Sequence, residues 1–313
     1  MVAHIFIDGE AGTTGLQIRE RLATRSDLRL ISLDESRRKD PSARAEALNS
    51  ADVVILCLPD DAAREAVGLI RAPHVRVIDA STAHRVAPGW VYGFAELAPD
   101  QRRRIAEAAR VTNPGCWPTG FLALVRPLTR EGLLPADASV FVHGVSGYTG
   151  GGKAMIAEFE GPDSVSAPAF RFYAANLGHK HVPEMTAYSG LARPPVFSPA
   201  VGRFAQGMLV EVPLDLAALP GTPSLDRVHA VLADAYADAR LVTVVPRSES
   251  AARGALAVEG LAGRNDMNLY VFGSETLGQA RLVAALDNLG KGASGAAVQN
   301  LNLMLGLDEG EGL

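Results

Sequence analysis

Apolar residues recur along this chain in two rhythms, and the change falls about a third of the way in. Up to residue 115, short continuous apolar runs alternate with stretches of helical period. The runs 3–8 (AHIFID), 28–33 (LRLISL), 51–59 (ADVVILCLP) and 75–81 (VRVIDAS) predict buried strands, and 14–25 and 60–70 predict helices between them. Near-continuous apolar strands separated by helices imply a parallel sheet covered on both faces. Beyond Cys116 the runs lengthen and partly alternate. Segments 139–147, 205–214, 241–246, 254–260 and 267–275 predict strands of a mixed or antiparallel sheet. A helix is predicted over 224–238, and one or two apolar-faced helices over 278–307. With 313 residues the chain can bury two cores. The expected division is residues 1–115 plus about 291–313 in one domain and 116–290 in the other.

Composition narrows the class of function. Thirty Lys and Arg against 35 Asp and Glu leave a net charge of -5, with no basic footprint for nucleic acid. No apolar run approaches the roughly 18 residues of a membrane helix, so no membrane partner is expected. The segment MVAHIFIDGEAGTTG lacks a basic region followed by a long apolar stretch, so a secretory leader is not expected either. Two cysteines, Cys57 and Cys116, make no disulfide framework, and a reducing cytoplasm is the expected compartment.

Gly9, Gly12 and Gly15 follow the first strand and open a helix, in the pattern G-x-x-G-x-x-G. A dinucleotide's pyrophosphate must approach backbone amides at a helix start, where side chains would obstruct it. Ala11, Thr13 and Thr14 complete that loop, and Asn288 joins the expected cofactor contacts. The second strand runs into LDESRRKD (33–40), where an adenosine ribose would sit. Ser36, Arg37 and Arg38 offer a hydroxyl and two cations to a 2′-phosphate, which points to NADP rather than NAD.

The most informative stretch is TNPGCWPTGFLALVRPL (112–128). Asn113-Pro114-Gly115 is turn chemistry, and apolar residues at helical spacing follow, so Cys116 stands at a helix start, a setting that favours a thiolate. Cys57, inside VVILCLP, reads as an inert buried thiol. Among seven histidines, His179 and His181 fall in a polar, non-periodic segment, with Glu184 three residues on to orient a ring. Either could be the acid/base, and in an extended segment both would project to the same side. A metal site is not expected, because no further ligand-rich cluster accompanies the pair. The segment GYTGGGKA (147–154) nearly matches a phosphate-binding loop but has Ala154 where a magnesium-binding hydroxyl would be needed. It reads instead as a substrate loop, with Ser146, Gly147, Gly150 and Lys153 as contacts and Asn113 beside them. Arg171 and Arg203 are candidate clamps for a substrate anion.

NPGCWPTG, HGVSGYTGGGK (143–153), GHKHVPEM (178–185) and KGASGAAVQNLNLMLGL (291–307) together resemble the shorter type of N-acetyl-gamma-glutamyl-phosphate reductase, in order and over essentially the whole chain. Glu10 and Thr14 depart from the longer type. The resemblance implies NADPH-dependent reduction of an acyl phosphate, N-acetyl-L-glutamyl 5-phosphate, to its semialdehyde in arginine biosynthesis. It implies a fold like that of glyceraldehyde-3-phosphate dehydrogenase: a Rossmann-type parallel-sheet dinucleotide domain plus an α+β catalytic and oligomerisation domain with a mixed sheet. It also implies a homodimer or homotetramer, with Cys116 matching the nucleophile and His181, with His179 as rival, the acid/base. Sister reductases of aspartyl phosphate or carrier-bound acyl phosphates, and a non-catalytic NADP-binding regulator, are the alternatives.

Overall fold

The computed structural model describes residues 2–38 and 40–313. Contacts divide the chain into two compact units, 1–114 with 293–313, and 115–292. In the first unit the strands are β1 (Ala3–Asp8), β2 (Leu28–Ile31), β3 (Val53–Leu56), β4 (Arg76–Asp79), β5 (Val91–Tyr92) and β6 (Arg110–Thr112). Among the described residues they form one parallel sheet in the order β2-β1-β3-β4-β6-β5. The central strand β3 is apolar at every position, and the middle of β1 is too, because both faces of the sheet are covered. Ile5 and Ile7 of β1 and Val53 and Ile55 of β3 join one core with Ile18, Leu22 and Ile105. Phe6, Val54 and Leu56 face the other way, against Leu48, Ala63 and Ala66.

The helices α1 (Thr13–Leu22) and α4 (Gln101–Glu107) lie on the first face, and α2 (Pro41–Ser50) and α3 (Asp60–Leu69) on the second. The last helix, Gly295–Leu305, inserts Ala297, Val298, Leu301 and Met304 into the first face. Arg76 ties that helix down. Its half-buried guanidinium donates to the carbonyls of Ala106 (2.6 Å) and Ala108 (2.7 Å) at the C-terminal end of α4, and to that of Met304 in the last helix. A cation there satisfies carbonyls that helix ends leave without partners.

The second unit opens with α5 (Cys116–Arg130), followed by β7 (Phe141–Gly147), α6 (Gly152–Glu160), β8 (Phe170–Phe172) and α7 (Val182–Ser189). It continues through β9 (Val196–Gly202), β10 (Met208–Asp215), α8 (Leu225–Ala235), β11 (Val242–Val244), α9 (Arg247–Ala252), β12 (Met267–Ser274) and β13 (Gln279–Leu286). Its strands form a mixed sheet in the order β11-β12-β13-β10-β7-β9-β8. Phe121, Leu122, Leu124 and Val125 of α5 are fully buried against it, and Tyr236 Oη donates to the Ala123 carbonyl at 2.9 Å.

Two expectations are corrected. Residues 279–286 are a strand, not helix: QARLVAAL has helix-favouring residues, but β10 and β12 flank it and take its backbone groups on both sides. Residues 254–260 are a bend, irregular backbone and a turn over 258–260 rather than a strand, and the segment joins neither sheet. Replacing Arg76 with Met should strand several carbonyls and cost about 2–4 kcal/mol. Urea denaturation followed by circular dichroism would show it as a lowered midpoint, with the C-terminal segment exchanging amide hydrogens fastest.

Candidate active site

Two cavities, one in each unit, are lined by residues that the sequence singles out. In the first unit β1 runs into the glycine loop at the point where strand order reverses, since β2 lies to one side of β1 and β3 to the other. Ligands bind in open α/β sheets at such a point. Gly9 has φ +92°, and a Cβ there would lie 2.3 Å from the Cys57 carbonyl oxygen. A Cβ on Gly15 would lie 2.4 Å from the Gly9 carbonyl oxygen. The glycines therefore let β1, β3 and α1 close on each other, and the Gly12 N–H bonds Gly9 O at 2.9 Å. Gly12 caps α1 without any side-chain bond, and Thr13 and Thr14 form its first turn, so backbone donors face the end of β1.

A cavity of about 380 Å³ lies there, walled by Asp8, Gly9, Glu10, Ala11, Arg38 and Arg44, with Leu33 and Leu58. Arg38 Nη2 meets Glu10 Oε1 at 3.0 Å, and Arg44 Nη2 meets Asp8 Oδ2 at 2.8 Å. Ser36 and Arg37 are exposed and lie off this wall, Arg37 facing Glu46 at 3.7 Å. A glycine turn, a helix start and two guanidinium groups between leucines suit a phosphorylated dinucleotide.

In the second unit Cys116 is the first residue of α5. The turn before it is held from two directions. The Gly115 N–H donates to Glu184 Oε1 at 2.8 Å, and Thr119 Oγ1 donates to Gly115 O at 2.9 Å. Glu184, almost fully buried, sits in the first turn of α7, and His181 is that helix's N-cap. The same short helix thus places both the carboxylate and an imidazole.

The His181 N–H reaches His179 Nδ1 at 3.2 Å, which makes that nitrogen an acceptor and leaves a neutral His179 ring its proton on Nε2. The two rings meet edge to face at 4.7 Å. Cys116, Ser146, Gly147, Gly150, His179 and His181 together line a cavity of about 160 Å³.

Several expected contacts have other employment. Lys153 is exposed on α6, off the cavity wall. Asn288 braces the loop after β7, donating to Thr149 Oγ1 at 3.0 Å and accepting the Gly207 N–H at 2.9 Å. Asn113, in the first unit, bonds Ala293 O at 2.8 Å and accepts from Asn300 at 3.1 Å. Arg171 pairs with Glu158 at 2.7 Å on the surface, and Arg203 bonds Ser164 O. Among the described residues no group of three metal-ligating side chains occurs.

Residues 5–105 match the family described as "Semialdehyde dehydrogenase, NAD binding domain" and 116–288 the one described as "Semialdehyde dehydrogenase, dimerisation domain". An N-acetyl-gamma-glutamyl-phosphate reductase of Brucella ovis is 60% identical over 310 residues, 98% of this chain and 100% of its own. That of Brucella anthropi is 59% identical over 98% and 99% of the two chains. The chain belongs to the N-acetyl-gamma-glutamyl-phosphate reductases. Among solved structures, aspartate semialdehyde dehydrogenase II from Vibrio cholerae matches with TM-score 0.72 at 15% identity, over 97% of this chain and 98% of that one. The Candida albicans enzyme, crystallised with NADP, matches with TM-score 0.64 at 12% identity, over 97% and 99%. At such identities the likeness shows the fold alone, and it is the one expected from the sequence.

Three residues of this reductase escaped the sequence reading. Arg44 was announced by Asp40-Pro41, an N-cap whose carboxylate accepts the Ser42 N–H at 2.8 Å, with proline in the first turn. Lys180 lines the Cys116 cavity from between the two histidines. Tyr173 lines it from the segment after β8, and nothing local marked it. Burial pushes the Tyr173 phenol up, a Cys116 thiolate would push it further, and a hydrogen bond with Trp117 offsets part of this, so Tyr173 stays a neutral donor.

Burial, with Asp79 and Asp8 adding to it, pushes the Cys57 thiol up to about 12. At pH 8 its thiolate fraction is then on the order of 10⁻⁴. Iodoacetamide at that pH should label Cys116 and spare Cys57 until denaturant is added, which peptide mass mapping would show. Glu184→Ala should lower kcat at least about 10-fold by loosening the α5 start, while Glu184→Gln, which still accepts from Gly115, should recover most of it. Steady-state kinetics on the two variants, beside their NADPH dissociation constants, would separate this from a loss of cofactor binding.

Proposed function

We propose that this chain reduces N-acetyl-L-glutamyl 5-phosphate to N-acetyl-L-glutamate 5-semialdehyde and phosphate, with NADPH as reductant and Cys116 as covalent nucleophile. The observation that carries the reading is Cys116 at the first position of α5, sharing a cavity with two histidines, in a chain 60% identical to reductases of that name.

The start of α5 favours negative charge on the Cys116 sulfur. The thiolate attacks the acyl carbon, the carbon–oxygen bond to phosphate breaks with its electron pair on the departing phosphate, and a thioester remains. Negative charge on the acyl oxygen falls to first-turn amides. Pro118 has none and the Thr119 N–H is turned to Gly115 O at 3.0 Å, so the reading assigns the role to the amides of Cys116 and Trp117. Each such donor typically supplies about 3 kcal/mol of transition-state stabilisation. Bound NADPH supplies the hydride that reduces the thioester carbon. His181, with His179 as its rival, gives a proton to the hemithioacetal oxygen and takes it back as the carbon–sulfur bond breaks. Lys180 offers a cation to the departing phosphate, and neutral Tyr173 a donor to the acyl chain.

The Gly9–Gly15 loop would hold the cofactor's pyrophosphate, Leu33 and Leu58 its adenine, and Arg38 with Arg44 its 2′-phosphate. A homodimer or homotetramer in the cytoplasm completes the reading. It is supported by the dimerisation-domain match over 116–288, and among the described residues no helix is long and apolar enough to cross a membrane.

Cys116→Ser should reduce turnover by about 10³-fold or more with NADPH binding intact, and wild-type turnover in that variant would remove the covalent mechanism. The substrate is tested by phosphate-dependent NADP reduction, which should proceed with N-acetylglutamate semialdehyde and not with aspartate semialdehyde.

A further inference from the structure

The cavity at the end of β1 presents a problem of charge. A site for the 2′-phosphate of NADP should carry excess positive charge, yet its two guanidinium groups, Arg38 and Arg44, are matched by two carboxylates, Asp8 and Glu10. The formal charges on the wall cancel. The carboxylates differ in what they can be for. Asp8 closes β1 and receives both Nε (3.3 Å) and Nη2 (2.8 Å) of Arg44, which is itself mostly buried, so that pair anchors α2 to the sheet.

Glu10 is in the glycine loop itself, where a phosphate must come close and a negative side chain is unfavourable. It nevertheless sits mostly buried, with its second oxygen 3.9 Å from Arg19. Its partner Arg38 is more open to solvent and is steadied from the far side, where Nε donates to the Leu33 carbonyl at 3.2 Å. Arg38 is therefore aimed at the cavity with one guanidinium edge engaged by a carboxylate. A phosphate monoester would take a guanidinium edge in the same way.

We propose that Glu10 is the internal counter-ion of Arg38, a carboxylate seated where the 2′-phosphate of the cofactor binds, and that the exchange of one anion for the other sets how strongly the site prefers NADPH to NADH. The inference rests on the reading that this cavity takes the adenosine end of NADP. Without cofactor the carboxylate keeps Arg38 extended and its charge balanced. With NADPH the phosphate takes over the guanidinium and Glu10 falls back on Arg19. NADH has no 2′-phosphate and leaves the pair closed. Preference for NADPH is thus held below what Arg38 and Arg44 could deliver unopposed.

The test is direct binding, measured by the fluorescence of NADPH and of NADH titrated with the full-length protein, without substrate. Glu10→Gln keeps the side chain's shape and removes its charge, and it should tighten NADPH by about 10-fold while NADH changes by less than about 2-fold. Glu10→Ala should do the same, and retained NADH affinity reports in each case that the cavity is folded. Arg38→Met should weaken NADPH by about 100-fold with little effect on NADH, and in that background Glu10→Gln should have no further effect. If Glu10→Gln leaves the NADPH-to-NADH ratio unchanged, or weakens NADPH, while Arg38→Met lowers the ratio, the counter-ion role is overturned and the placement of the 2′-phosphate stands. If Arg38→Met leaves the ratio unchanged, the placement itself fails.

Discussion

The cavity beside Cys116 depends on one buried hydrogen bond, from the Gly115 amide to the Glu184 carboxylate. It joins the start of α5, where Cys116 stands, to the first turn of α7, whose N-cap is His181. Both functional groups are thereby placed by backbone rather than by long side chains. A charge-assisted bond with little access to water is among the stronger single interactions available. It also engages the amide just before Cys116 and so fixes where the first turn of α5 begins. Misplacement of reacting groups by about 1 Å can cost 10²-fold in rate, which is why a carboxylate off the cavity wall matters here.

The two cysteines show how environment divides one functional group into two chemistries. Cys57 follows β3 with Asp79 and Asp8 near it, and burial and negative charge both oppose its ionisation. Cys116 begins a helix, where backbone amides favour the thiolate. The arginines divide in the same way. Arg76 is spent on helix-end carbonyls and Arg44 is clamped by Asp8 at the cavity wall, whereas Arg38 is more open to solvent and meets Glu10 there.

Much of the scaffold could be read from periodicity. β1, β3 and α3 stand out because continuous apolar runs broken by helical stretches have few other solutions, and Cys116 at a helix start follows from Asn-Pro-Gly before an apolar-faced helix. The errors share a cause. Residues 279–286 form a strand between two neighbours although their composition favours helix, and 254–260 look like a strand but have no ladder to join. Strand formation depends on partners distant in sequence, and local composition does not report them. Ser36 and Arg37 were plausible phosphate ligands by spacing alone, yet they turn to the surface, and Arg44, from the next helix, takes a place on the cavity wall.

By itself, then, the sequence determined most of the elements, the glycine turn after β1, the helix-start setting of Cys116 and, through motifs spread along the chain, the family. Those features are local, since they depend on residues within one turn or one strand of each other. The tertiary structure alone decided which polar side chains reach the cavities and which serve as braces. Asn113 and Asn288 became braces, Glu184 took the Gly115 amide, and Glu10 came to face Arg38. Whether a buried polar group binds a ligand or holds the fold depends on what stands opposite it, and that neighbour is supplied by a segment tens to hundreds of residues away.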